Sequence, residues 1–503
     1  MMPMPGTKLL RRMFGLDWRS LALLRMGLAV VLLADLAVSA QDLKALFTDA
    51  GVLPREWLRE GYTADLSIHL LGDGVWFQGA LFALEGAFAV MMLVGYRTRL
   101  ATAACWFLLL SRQARQPLAL YGADMVEHLA FFWALWLPLN RRFSVDAALG
   151  RVPPPDEKEY FGMAGFCVIA QFMAIYLTSA LQKTGPTWTT DHTAVYYALA
   201  LKIYSTPFGQ WLNQFDALTR GLTVFVLGVE LYAPFLMILP FATGYGRMAG
   251  FLLFLGLQVG FGLCLELGLF GAIMVAFMFM LLPAEFWEWC ANPPGRWLRS
   301  RLKFLQRFHA AAPSAGSRPP APGLESVWRR GGMWALRRTR DGALLAALGL
   351  VVLLNIASFP NQSKLVSDKA YRLAYDIGLS QKFDLFAPDP QTYDGWFVLR
   401  GWLKNGRNVD LLTGASPANF DPPERIAESY IDERWNGYLM DLTSEDFLNY
   451  RKGLADYLAQ EWNATHAGSA QVQKVEIIFM CFYNGPDHTV SDTNPIYLWT
   501  QNY

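Results

Sequence analysis

The sequence predicts an all-α polytopic membrane bundle of about nine transmembrane helices, with a small external α+β domain at its C-terminal end. Three observations predict it. Of 503 residues, 53% are hydrophobic and only 17% charged, against about 25% charged in a soluble domain. The apolar residues gather into runs close to the ~20 residues that a helix needs to cross a ~30 Å hydrocarbon core. From residue 360 onward the pattern changes to alternating apolar and polar positions. A net charge of +1 offers no electrostatic footprint for nucleic acid, which is not expected as a partner. Five scattered cysteines with no CxxC pair suggest neither a disulfide framework nor a zinc site, and no metal site is expected.

Apolar runs at about 19–39, 75–96, 100–118, 123–139, 160–181, 221–243 and 343–359 supply seven spans. The stretch Arg247–Pro283 would be about 55 Å long as one helix, so it must fold back, near Gly262, Glu266 and Gly268. It supplies two more. Basic residues crowd the N-terminal run, the turns at Arg97 and Arg141, and the segment 285–342, and are sparse in the alternate loops. The positive-inside rule then puts the N-terminus in the cytoplasm and the tail outside, a periplasmic tail if the membrane is a bacterial inner membrane. The division is a transmembrane domain over 1–285, a basic cytoplasmic linker over 286–342, a last transmembrane helix over 343–359 and the external domain over 360–503.

In the tail, Trp396–Leu403 and Val409–Leu412 flank Asn405-Gly406, which predicts a hairpin with a type I′ turn. Lys474–Tyr483 reads as a buried strand and Ser444–Glu461 as an amphipathic helix.

Charges inside the spans are the candidate functional residues, because ionisable groups in a bilayer face the bundle and mark sites. Arg25 and Asp35 lie in the first span, Glu85 in the second, and Asp124, Glu127 and His128 open the fourth. Glu230 lies in the sixth, Lys183 ends the fifth, and Gln258 precedes the bend. Most of them fall in the outer half, which predicts a polar cavity beneath the external domain. Structural pairing, such as Arg25 with Glu85 or Glu230, is the alternative for the mid-membrane charges, and snorkelling to the interface is the alternative for Lys183. The abundance of Phe, Trp and Tyr suits lipid contact and also a flat aromatic ligand such as a quinone.

Five short stretches in order carry a resemblance to a known family. They are Arg25–Asp35 with Leu46–Pro54; Gly95–Leu100; Asn140–Asp146; Ala180–Trp188 followed by Tyr196-Tyr197; and Glu230 with Ala233-Pro234. Together they resemble the horizontally transferred transmembrane domain family, whose best-known member is vitamin K-dependent gamma-carboxylase. Phe386–Pro390 and Tyr393–Phe397 look like the external domain attached in bacterial members. The resemblance implies a carboxylase-like lyase that oxidises a reduced, vitamin K-like quinone and modifies a protein or peptide substrate presented at the external domain. It makes Lys183 the catalytic base. A lysine must shed its proton for that task, which burial in an apolar cavity promotes. Asp124, His128, Gln182, Trp188, His192 and Gln258 are the expected substrate- or cofactor-binding residues, and Arg25, Asp35, Glu85 and Glu230 the structural intramembrane charges. The chain departs from the family at Tyr121–Asp124, at Gln258 and at Asp191-His192. A non-catalytic scaffold, binding lipid or quinone and recruiting a partner through its external domain, is the alternative function.

Overall fold

A computed structural model describes residues 5–61, 67–291, 324–360, 362–430 and 432–503. The helices of the bundle are α1 (Pro5–Phe14), α2 (Trp18–Ser39), α3 (Val75–Val94), α4 (Thr98–Arg115), α5 (Gly122–Ala134), α6 (Met163–Gln182), α7 (Asp216–Leu236), α8 (Thr243–Cys264), α9 (Phe270–Met278), α10 (Ala284–Ala291) and α11 (Leu324–Ala357). The tail adds α12 (Asp368–Asp376), α13 (Glu433–Asp441) and α14 (Arg451–Thr465).

Six helices, α2, α3, α6, α7, α8 and the Leu336–Ala357 part of α11, are long and apolar enough to cross a membrane. A seventh span arises if α9 and its short continuation are counted with α10, which is bent from them by 90°. The chain is therefore a multi-pass membrane protein by the length and composition of its helices. The remaining expected spans are helical but short or polar. The run 100–118 becomes α4, whose last turn holds Arg112 and Arg115, and 123–139 becomes α5, only 13 residues long. Both tolerate polarity because Arg112, Arg115, Asp124 and Glu127 are buried against protein rather than lipid. The stretch 247–283 does break, at Leu265–Leu269, with Gly268 at φ 54. The last helix begins at Leu324, well before residue 343; the rest of the expected linker, 292–323, lies outside the described residues.

Local chemistry sets the ends of the helices. Asp17 caps α2, accepting from the Arg19 N–H at 2.8 Å, a bond that satisfies one of the orphan donors of a first turn. Gly95 closes α3 in the left-handed region at φ 73. The turn into α4 is held by Asp146, which accepts from the backbone N–H groups of Arg97 and Thr98 and from the Thr98 hydroxyl, all at 2.9 Å.

The inter-helix segments fall on two faces. On one face, Arg247 donates to the carbonyls of Met13 (2.8 Å) and Gly15 (2.5 Å), Ser20 to that of Leu282 (2.6 Å), and short strands β1 (Leu16–Asp17) and β2 (Glu159–Tyr160) pair. The tail covers the other face. There Tyr196 donates to the Gly485 carbonyl at 2.8 Å, the Gly185 N–H to that of Pro388 at 3.0 Å, and Arg434 to that of Ala119 at 3.0 Å.

The tail is built on a four-stranded antiparallel sheet, β3 (Tyr393–Leu403), β4 (Asn408–Asp410), β5 (Val472–Tyr483) and β6 (Asn494–Asn502), in the order β4-β3-β5-β6. α14 packs on β5 and β6. The expected hairpin is β3–β4, but its turn is not type I′. That type needs positive φ at both central residues, and only Gly406, at φ 83, has it. The Asn405 side chain instead accepts from the Arg407 N–H at 3.0 Å, an Asx turn. The expected helix 444–461 begins as a 3₁₀ turn, Glu445–Tyr450, before α14.

The two faces predict opposite sides of a membrane. In a variant lacking the five cysteines, a cysteine at Asn419, exposed on the tail, should react with an impermeant maleimide in intact cells, and one at Leu149, exposed on the other face, should not. Labelling of both from the same side would overturn the arrangement.

Candidate functional site

The site is built around the end of α6. The helix stops at Lys183 because Gly185 and Pro186 follow, and Pro186 opens a new turn, Pro186–Thr189. Lys183 is buried, and its ammonium forms an ion pair with Glu230 of α7. Its Nζ lies 4.6 Å from the centroid of the Trp188 ring, within cation–π range. Ser179, one turn back on α6, donates its hydroxyl to Glu230 at 3.4 Å.

This pair lines a cavity of about 410 Å³ between bundle and tail. Ile175, Phe261, Phe270 and Met274 give it apolar walls, Tyr176 and Gln258 a polar patch, and Phe383–Gln391 together with Glu433 close it from the tail. Gln258 donates to the Tyr176 hydroxyl at 3.0 Å, while its own carbonyl Oε1 is buried without a partner among the described residues. A buried acceptor left unpaired costs about 1–3 kcal/mol, and a ligand donor entering the cavity would recover that.

The roof is fastened beside the lysine. Asp389 accepts from the Thr187 N–H at 3.0 Å, and Trp188 donates its indole N–H to the Phe386 carbonyl at 2.8 Å. Gly185 lies so close under Asp389 that a Cβ there would collide with the carboxylate. Burial pushes the Glu433 carboxyl up to about 8, with the hydrogen bond from Asn436 opposing and the carboxylates of Asp432 and Glu266 adding to the rise. At neutral pH this acid is mostly protonated.

A second cluster lies deeper, between α2, α3, α4 and α5. Arg112 is ion-paired with Asp35 and donates from Nε to Glu85 at 3.3 Å. Arg434, from α13 of the tail, pairs with Asp35 and grips both oxygens of Asp124, at 2.8 and 3.0 Å. All five side chains are buried.

The expected residues thus divide. Lys183 and Gln258 meet at the cavity with Glu230, which was expected to be only structural; Trp188 does not line it but stacks on the Lys183 ammonium and fastens the roof. Asp124 and His128 are elsewhere: Asp124 is held by Arg434, and His128 bridges the Gln113 side chain (3.0 Å) and the Ser380 carbonyl (2.9 Å). Gln182 faces away and donates to the Ser358 hydroxyl at 2.8 Å. His192 adopts φ 55, with its Nδ1 3.1 Å from the Trp188 carbonyl, and does not line the cavity. Arg25 meets neither Glu85 nor Glu230 and donates to the carbonyls of Leu139 (3.2 Å) and Phe143 (2.5 Å) on the far face. Sequence reasoning missed Arg112 and Arg434. Arg112 had a signal, a guanidinium inside an apolar run; Arg434, in a soluble-looking helix, had none.

Two outcomes follow. Arg434→Ala leaves Asp35 and Asp124 short of a buried partner and should destabilise the protein by about 3–5 kcal/mol, read as a lowered melting midpoint in detergent; a change below about 1 kcal/mol would contradict the geometry. For Glu433 the folded value is raised, so its contribution is full below the unfolded value of about 4.3 and declines as pH rises until it is lost once pH passes about 8. Glu433→Gln should flatten that slope in a pH series of melting midpoints, and an unchanged slope would refute it.

No family model matches the chain, and no curated protein and no solved structure is significantly similar to it.

Proposed function

We propose that this chain is a nine-pass membrane protein that holds a quinol-type molecule beneath an external domain, with Lys183 and Glu230 handling the proton of the ligand's hydroxyl. The observation that carries the reading is the buried Lys183–Glu230 pair at the wall of an otherwise largely apolar cavity. Its volume falls in the range of about 300–1,000 Å³ usual for small-molecule sites. An aromatic ring with a hydroxyl suits walls of Phe261, Phe270 and Tyr176.

The pairing redistributes the roles that the family resemblance implies. An ammonium already in contact with a carboxylate is a poor base. The carboxylate of Glu230 is the group placed to take the hydroxyl proton, and the Lys183 ammonium then stabilises the phenolate, an electrostatic task suited to a site from which water is excluded. Gln258 and Tyr176 orient the ring. Oxidation of that anion by O2 to a strong base, removal by that base of the γ-proton of a glutamyl side chain on a peptide or protein reaching the cavity from outside, and addition of CO2 to the resulting carbanion are the further steps that the resemblance to the gamma-carboxylase family adds to the proposal. Membrane lipids are the surroundings from which the quinol enters. The tail then lies outside the membrane, periplasmic in a bacterial inner membrane, and α4, α5 and α9 complete the nine passes.

The test compares wild type with the double variant Lys183→Met, Glu230→Gln, which removes both charges and leaves neither buried alone. With a reduced menaquinone-type probe in detergent, oxidation of the quinol should fall by about a hundred-fold or more with the melting midpoint within a few degrees of wild type. Unaltered oxidation, or none in the wild type despite probe binding, would leave the non-catalytic scaffold as the function.

A further inference from the structure

The charges of the deeper cluster do not balance. Two guanidiniums, Arg112 and Arg434, stand among four buried carboxylates, Asp35, Glu85, Asp124 and Glu127. The arginines reach three of them. Among the described residues none donates a hydrogen bond to Glu127 Oε1, which is sealed from solvent in a residue only 3% exposed. One oxygen each of Asp35, Asp124 and Glu127 lie within 4.8 Å of one another. Glu85, from another helix, also has one oxygen buried and unpaired among the described residues. An isolated carboxylate in such surroundings is too costly to persist as an anion.

We propose that Glu127, with Asp35 and Asp124, forms a binding site for a single monovalent cation, a proton or a sodium ion, independent of the Lys183 cavity. A doubly charged ion does not fit. Calcium takes roughly six to eight oxygens, and of the three carboxylates here two are already engaged by guanidiniums, which would also repel the dication. One positive charge satisfies the unpaired Glu127 oxygen and reduces the carboxylate excess without displacing either arginine.

The groups facing Glu127 come from several elements: Asp35 on α2, Glu85 on α3, Cys105 and Arg112 on α4, Asp124 on its own helix, and Arg434 from the tail beyond Asp35. His128, next in sequence, is turned to Gln113 and Ser380. α9, packed on α5, carries no titratable residue, and α6 meets α5 through Gln171, which accepts from the Trp133 indole at 3.2 Å. Two of the four carboxylates are tied to Arg434, so occupancy of this site is coupled to docking of the tail.

The experiment uses the full chain in detergent. Melting midpoints of wild type and Glu127→Gln are followed while sodium chloride replaces choline chloride at constant ionic strength, and again while pH is raised from neutral to alkaline. A midpoint that rises with sodium in the wild type and not in Glu127→Gln supports the site and names sodium. A midpoint that falls with rising pH more steeply in the wild type than in Glu127→Gln, with no sodium effect, supports the site and names the proton, because a bound proton is lost as pH rises. Equal responses of the two proteins in both series overturn the proposal. Should Glu127→Gln fail to fold, the wild type alone decides. Recorded in a Glu433→Gln background, which removes a carboxyl outside the site that is held protonated near neutral pH, the infrared band of a buried protonated carboxyl that disappears at alkaline pH or on sodium addition supports the site, and absence of both changes overturns it.

Discussion

The burial of Arg434 between Asp35 and Asp124 is the contact on which the rest of the structure depends. A guanidinium from the tail is removed from water and gripped through both of its outer nitrogens by carboxylates of two bundle helices. Paired burial of this kind is neutral at best while complete, and severely unfavourable once one partner is removed. Bundle and tail are for that reason a single folding problem. The bundle alone would carry two buried acids short of a cation, and the tail alone would carry an exposed arginine on a helix with an apolar face.

From that anchor the cavity follows. α13 brings Glu433 one residue before Arg434, so docking the arginine sets the acid against the cavity at Tyr121 and Gly437. The segment Phe383–Gln391 is laid over Lys183 by the Asp389 and Phe386 contacts. A lysine at the end of a membrane helix would ordinarily reach for water, as its long stem allows. Here the roof removes the water, and Glu230, Ser179 and Trp188 replace it.

Much of this was legible in the sequence, and the limits have physical causes. Helix positions were readable because a chain that stays in water seldom carries unbroken apolar runs of membrane length, and the bend near Gly268 was forced by length alone. The Lys183–Gln258 neighbourhood was an expectation of the family resemblance, and both residues line the cavity. The partner of Lys183 was not readable, since Glu230 is 47 residues away and sequence spacing says nothing about which helices touch; Arg25 looked an equally good partner for Glu230 and instead donates from its two outer nitrogens to carbonyls. The short, polar helices α4 and α5 misled the span reading because hydropathy assumes lipid outside, whereas their polar ends are walled by protein. Arg434 was invisible because its burial is a property of the assembled domains and not of α13.

The roof segment has a consequence for biosynthesis. Phe383–Gln391 and Arg434 follow the last bundle helix in the chain, so they reach their places only after that helix and the tail have been made. Until then the lysine cavity is open to water and the acids at Asp35 and Asp124 lack one of their arginines. Whatever chemistry the cavity performs is withheld from a nascent chain. A protein stalled before the tail emerges would have its cavity unroofed and would carry unsatisfied charges in its interior.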